Sequence, residues 1–294
     1  FRRSDGTARW ISTLDRGERD IDSPAFYAAA EGTPDQIALL ARALLKAKDQ
    51  RLDLLPAGEA SIEALRSHSF DVKGQPVRAT LHAISGLGFT PAFVWLDEND
   101  ELFALSYGWM GLAPQGATGV VEEAGRLQEE AEAAWLRKRA QELTQAMPGS
   151  WCLRNARWLD VDAGEMQPAS NIRVKDGVIE AVGAPGDVDC ADLASIDAGG
   201  RVVLPGLWDM HVHATAQDGL LHVANGVTGA RDLGNEHAVV TGLARDFGSG
   251  ELIGPRLQRA GFIDKKSPYT APTGTPVETL EQALAQIDDY AAKG

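Results

Sequence analysis

The stretch "VVLPGLWDMHVHATAQDGLLHVANGVTGARDLG", residues 202–234, decides the fold, and with His237 just beyond it holds four of the chain's six histidines. It opens on an apolar run that predicts a buried strand over 202–211, and the run ends in His211-Val212-His213. Side chains at i and i+2 of a strand point to one face, so His211 and His213 project together while Val212 turns away and packs. That is a chelating geometry, since neutral imidazole is the commonest metal ligand. Asp209, two residues earlier, has the same facing and can accept a ring N–H from behind a ligand or cap a local turn. An isolated His-x-His would read as two satisfied core histidines; what lies on either side of it decides.

Downstream, the pattern alternates: a helix over about 216–225, a strand over 227–232, a helix over 236–249, a strand over 256–261, then a loop and a helix over 277–293. Strands alternating with helices imply a parallel sheet, doubly wound or closed into a barrel. Ligands of such sheets lie beyond the C-terminal strand ends, where His211 and His213 stand. Asp232 ends the second strand beside Arg231 and faces the same mouth, either as a group near substrate or ligand, or as half of an Arg–Asp pair holding the loops. His237 begins the next helix near the mouth and is a further substrate-side candidate. His222 lies on the first helix beside Leu221 and is assigned to packing or solvent.

Upstream, "CLRNARWLDV", "NIRVKDGVIEAVG" and "SIDAGGRVVLPG" are short β-type runs separated by Gly, Asp and Pro, so residues 150–204 form a small β domain. Asp176-Gly177 is its hairpin signal. "GVVEEAGRLQEEAEAAWLRKRAQELTQAM", 119–147, has no internal Pro and predicts one long helix, a linking element over 119–149. Residues 1–118 mix both signals. "TPDQIALLARALLKAKDQ" (33–50) starts with Thr33 as N-cap and Pro34 at the first helical position. "VRATLHAISGLGFTPAFVWLDENDELFALSYGW" alternates apolar and polar positions about a hairpin at Asp-Glu-Asn-Asp-Glu. This region is an α+β domain of unassigned role, and its His68 and His82 are structural.

The 294 residues, 44% apolar and 24% charged, suffice for more than one globular core. With 28 Lys plus Arg against 42 Asp plus Glu, the formal charge of −14 argues against nucleic acid or anionic membrane as the main partner. No run of 18 apolar residues exists to span a bilayer. The first residue, Phe1, points to a processed or cut chain, and a periplasmic or secreted setting is favoured over the cytoplasm. Cys152 and Cys190 are too few for a thiolate zinc site. Two independent thiols are the simpler reading, and a single bridge in an exported protein is the other. No Gly-x-Ser-x-Gly elbow, phosphate loop or dinucleotide fingerprint offers a rival site.

"PGLWDMHVH" (205–213) resembles the first barrel strand of the amidohydrolase superfamily, which typically reads PGLIDMHVH. "NGVTGARDLG" (225–234) is similar to the family's second strand and "GPRL" (254–257) to its third. "NIRVKDGVIEAVG" and "IDAGGRVVLPG" look like the small β-sandwich that flanks the barrel. The resemblance covers about 151–294; residues 1–150 match no family.

It implies an α/β fold: the incomplete start of a TIM barrel over 205–294, three βα units, behind a small β-sandwich domain (150–204) and the N-terminal α+β domain. It implies a divalent metal, zinc, as one or two ions, with His211 and His213 as ligands of the more buried one. The activity implied is hydrolysis by metal-activated water of a C–N bond in a cyclic amide or peptide-like substrate, in the imidazolonepropionase-like or dipeptidase-like branch. Alternatives are a binding protein that kept the scaffold without catalysis, and a phosphotriesterase- or deaminase-type reaction. A full barrel takes about 250 residues or somewhat fewer. The family's carboxylated lysine, further histidines and base aspartate arise on later strands, so the catalytic residues are expected beyond residue 294. The chain is then the N-terminal part of a longer enzyme, inactive alone, acting on a small-molecule or peptide-like substrate, with a homo-oligomer left open.

Overall fold

Thr33-Pro34-Asp35 starts a helix, α1 (Pro34–Lys46), whose first residue needs no N–H because first-turn donors have no intrahelical partner. It ends at Lys46, sooner than the apolar spacing predicts, and residues 48–50 form a single tight turn. The computed structural model describes residues 1–29, 33–88, 90–107 and 110–293, and it divides into two units, Phe1–Arg137 and Lys138–Gly294.

In the first unit, β1 (Arg2–Ser4), β2 (Thr7–Ile11) and β3 (Arg16–Asp20) make a small antiparallel sheet. A seven-stranded sheet follows from β4 (Ala25–Tyr27), β5 (Arg51–Leu55), β6 (Glu59–Val72), β7 (Gln75–Ser85), β8 (Ala92–Asp97), β9 (Leu102–Ser106) and β10 (Gly111–Leu112). Its order is β10-β9-β8-β7-β6-β5-β4, antiparallel except that β4 runs parallel to β5. Phe89 and Gly108-Trp109, inside the predicted alternating run, lie outside the described residues. Asp97–Glu101 makes the expected turn between β8 and β9, with the Asp97 carboxylate accepting from the Asn99 and Glu101 N–H groups.

Both faces of this sheet are covered. On one, Leu40, Ala41 and Leu44 of α1 pack with Ile62, Ile84, Val94, Leu96 and Leu105. On the other, Val120, Ala124 and Leu127 of α2 (Thr118–Leu143) pack with Phe70, Leu81, Trp95 and Phe103. Phe93-Val94-Trp95-Leu96 is therefore apolar throughout, because alternate residues serve opposite cores. His82 is buried, its Nδ1 3.1 Å from the Thr80 carbonyl, and His68 pairs with Glu123 at 2.9 Å.

After the end of α2, the second unit holds a five-stranded sheet: β11 (Ser150–Asp160), β12 (Glu165–Lys175), β13 (Val178–Gly183), β14 (Ala194–Asp197) and β15 (Val202–Val203). The order is β13-β12-β11-β14, with β15 also running parallel to β11. Asp176 and Gly177 adopt φ of 50° and 78°, the left-handed pair a two-residue hairpin requires. The two-thiol reading is corrected: Cys152 and Cys190 form a disulfide with Cα atoms 5.9 Å apart. β14 lies parallel to β11 with Ser195 opposite Cys152, and Asn171 Nδ2 donates to the Val188 carbonyl at 3.1 Å, which brings the segment before β14 back beside β11.

The predicted strand 202–211 is two strands. Val202-Val203 pairs with β11, whereas β16 (Leu207–Val212) joins the next sheet. Pro205 lacks a ladder donor, and a Cβ on Gly206 would lie 1.7 Å from Thr228 Oγ1, so the chain crosses between sheets there. β16, β17 (Val227–Asp232) and β18 (Arg256–Arg259) form a parallel sheet in that order, linked by α3 (Ala216–Ala224) and α4 (His237–Ser249). β19 (Ile263–Lys265) pairs in parallel with β20 (Thr275–Val277), and α5 (Leu280–Lys293) closes the unit. Residues 277–279 are not helical, because Val277 completes β20 and Thr279 accepts the Gln282 N–H through Oγ1. As the edge strand, β16 leaves Leu207, Trp208 and Met210 exposed, where a buried strand was expected.

Candidate metal-ligand site

Both site histidines stand where the parallel sheet ends. His211 is near the end of β16, His213 is one residue beyond it, and their ring centroids are 5.3 Å apart at 66°. Val212 is buried between them, so the expected alternation holds. A Cβ on Gly234 would lie 2.6 Å from His213 Cε1, so the loop after β17 passes directly against that imidazole.

Asp209 takes the local-turn role. Its Oδ1 accepts the His211 backbone N–H at 3.1 Å, and the β16–β17 pairing slips between Asp209 and Val212. That side-chain acceptor replaces a ladder partner, so β16 carries an extra residue. Its Oδ2 lies 3.7 Å from Nε2 of His222, whose Nδ1 donates to the Asp218 carbonyl at 2.8 Å. His222, assigned to packing, thus meets Asp209. The signal was present in sequence: Thr215 and Asp218 form a capping box that fixes where α3 begins and hence which face carries His222.

Asp232 is fully buried, and its hydrogen-bond partners are Ala214, Gly234 and Asn235. Its Oδ2 accepts from Ala214 N (2.7 Å) and Asn235 Nδ2 (3.0 Å), its Oδ1 from Gly234 N (3.1 Å) and Asn235 N (3.0 Å). His237 begins α4 but packs against Tyr290 at 5.3 Å, with Nδ1 buried and unpartnered. Burial matters here because an unpaired ring nitrogen is costly to hide.

Two imidazoles suit a divalent transition ion, and His211 and His213 fit as two of its ligands. A catalytic zinc takes three protein ligands. Among the described residues no group of three or more His, Cys, Asp or Glu is placed to hold an ion.

No family model matches the chain. It is 30% identical over 149 residues, 48% of its length, to an adenine deaminase from Ruegeria pomeroyi, and 35% identical over 77 residues, 26% of its length, to adenine deaminase 3 from Rhizobium meliloti. These matches span 24% and 13% of the two relatives, well under half of either. A solved structure from Bifidobacterium longum described as a prolidase is similar at 25% identity and a TM-score of 0.43, over 51% of this chain and 40% of that one. The two relatives matched in sequence are members of the amidohydrolase superfamily, and it is this superfamily that the chain resembles over part of its length.

Proposed function

We propose that the chain carries two metal ligands, His211 and His213, of a divalent-metal hydrolase acting on a C–N bond of a cyclic amide or peptide-like substrate. The observation that carries this reading is the exposed pair of imidazoles side by side at the C-terminal end of a parallel strand, the end at which such sheets bind ligands. Zinc is the ion proposed; when bound, it would supply an acidified water and polarise the bond to be cleaved. The chain's own part is to hold two ring nitrogens at fixed separation, with Val212 anchored in the packing between them. The reading requires further ligands and a general base that the described residues do not group with this pair.

The names of the two curated relatives favour a second reading, hydrolytic removal of an exocyclic amine from a purine, which is also C–N cleavage. Assaying the holoenzyme for ammonia release from adenine beside a panel of dipeptides and cyclic amides separates the two. Dipeptide or lactam cleavage supports the first, ammonia release alone replaces it with the second, and full turnover after zinc removal overturns both.

A further inference from the structure

We infer that Asp232 is the positioning residue for the His213 imidazole. This rests on the reading of His213 as a ligand and adds the device that aims it. A carboxylate with no exposed surface needs partners for all its lone pairs, and Asp232 finds four, every one an N–H of the two loops that follow β16 and β17. Ala214, which donates at 2.7 Å, is the residue after His213, so this bond fixes the peptide that His213 leads into. The other side of Ala214 is held as well: its carbonyl accepts from Asn235 Nδ2 at 2.8 Å, and the same amide donates to Asp232.

The second loop is fixed just as closely. Gly234, whose N–H donates to Asp232, is the residue against the His213 ring, and its carbonyl accepts from Thr273 Oγ1 at 2.6 Å. One carboxylate therefore sets both the backbone that carries the imidazole and the surface it leans on. His211 has no such tie; its backbone is held by Asp209 instead. The clamp thus acts on one member of the pair.

The test is Asp232→Asn in the 294-residue chain. An amide has one accepting oxygen where the carboxylate has two, so its NH2 would face two N–H donors, either Ala214 N with Asn235 Nδ2 or Gly234 N with Asn235 N. Three readouts are taken: the NMR signals of the His211 and His213 rings with the His213 Hε1 to Gly234 Hα cross-peak, zinc affinity by chelator competition, and melting temperature. We expect the His213 signals to shift and the cross-peak to vanish while His211 stays in place, with zinc affinity falling about tenfold or more, as for other residues that orient ligands.

Val240→Ala, in the buried face of α4, is the control for simple destabilisation. It should lower the melting temperature and leave both the His213 signals and zinc affinity unchanged. If D232N does not fold, Asn235→Ala removes only the amide side of the clamp and should produce the same shift at smaller size. Unchanged His213 signals in D232N or N235A, or equal changes in V240A, overturn the inference. Absence of zinc binding in the unaltered chain would instead reject the metal reading, and the ring signals would still decide the positioning role.

Discussion

His213 leans on a residue that has no side chain, and that contact is open to test. Gly234→Ala would put a methyl 2.6 Å from Cε1 and 2.9 Å from Nδ1 of the ring. The Gly234 N–H and carbonyl are both hydrogen-bonded, to Asp232 and Thr273, so the imidazole must rotate away. The expected outcome is displaced His213 ring signals and weaker zinc binding in G234A; an unperturbed ring would contradict the packing described here. A second residue-scale outcome concerns His82, whose pKa is pushed below its ordinary 6.5 by burial, against opposing effects of the Thr80 carbonyl and Asp100. The native state binds this proton less readily than the unfolded chain, so its contribution is fully present above pH 6.5 and is lost as pH falls from 6.5 toward the lowered value. Denaturation midpoints between pH 7.5 and 5 should decline in the unaltered protein and less steeply in His82→Gln. This window lies above the carboxylate range, where the lowered pKa values of Glu130 and Asp197 act.

Elements with local end signals were legible in sequence, and elements defined by distant partners were not. Thr33-Pro34 starts α1, Asp176-Gly177 turns β12 into β13, and β17 runs over 227–232 as its pattern predicts. Each of these depends on a few consecutive residues. The split of 202–211 into β15 and β16 depends on which sheet each half joins, and β11 lies more than forty residues away from β15 in sequence. The site shows the same division: the shared facing of His211 and His213 follows from strand periodicity, whereas the four partners of Asp232 come from loops whose meeting no local pattern encodes. The Cys152–Cys190 bridge is likewise a long-range outcome. Its separation of 38 residues corresponds to about 4 kcal/mol of loop-closure entropy removed from the unfolded chain. Reduction should therefore lower the melting temperature clearly, and alkylation of the unreduced, denatured protein should modify neither cysteine. Two modified cysteines would remove the bridge.

At the scale of the molecule, the second unit exposes apolar side chains that soluble surfaces usually hide. Leu280, Leu284 and Ile287 recur at helical spacing along α5 and stay exposed, as do Leu207, Trp208 and Met210 on β16. Exposed apolar rows of this kind favour association. Sedimentation of the 294-residue protein should show concentration-dependent self-association that Leu284→Glu weakens; a monomer at all concentrations would contradict this.

The central claim, that the imidazole pair after β16 binds a divalent metal, is tested most directly by zinc titration of the purified chain beside its His211→Ala, His213→Ala and Val212→Ala variants, read by displacement from a chromophoric chelator. Because Val212 points into the packing and the two histidines do not, the account predicts that the unaltered chain and V212A compete for zinc equally, while H211A and H213A each lose at least tenfold. Four indistinguishable titrations would contradict it.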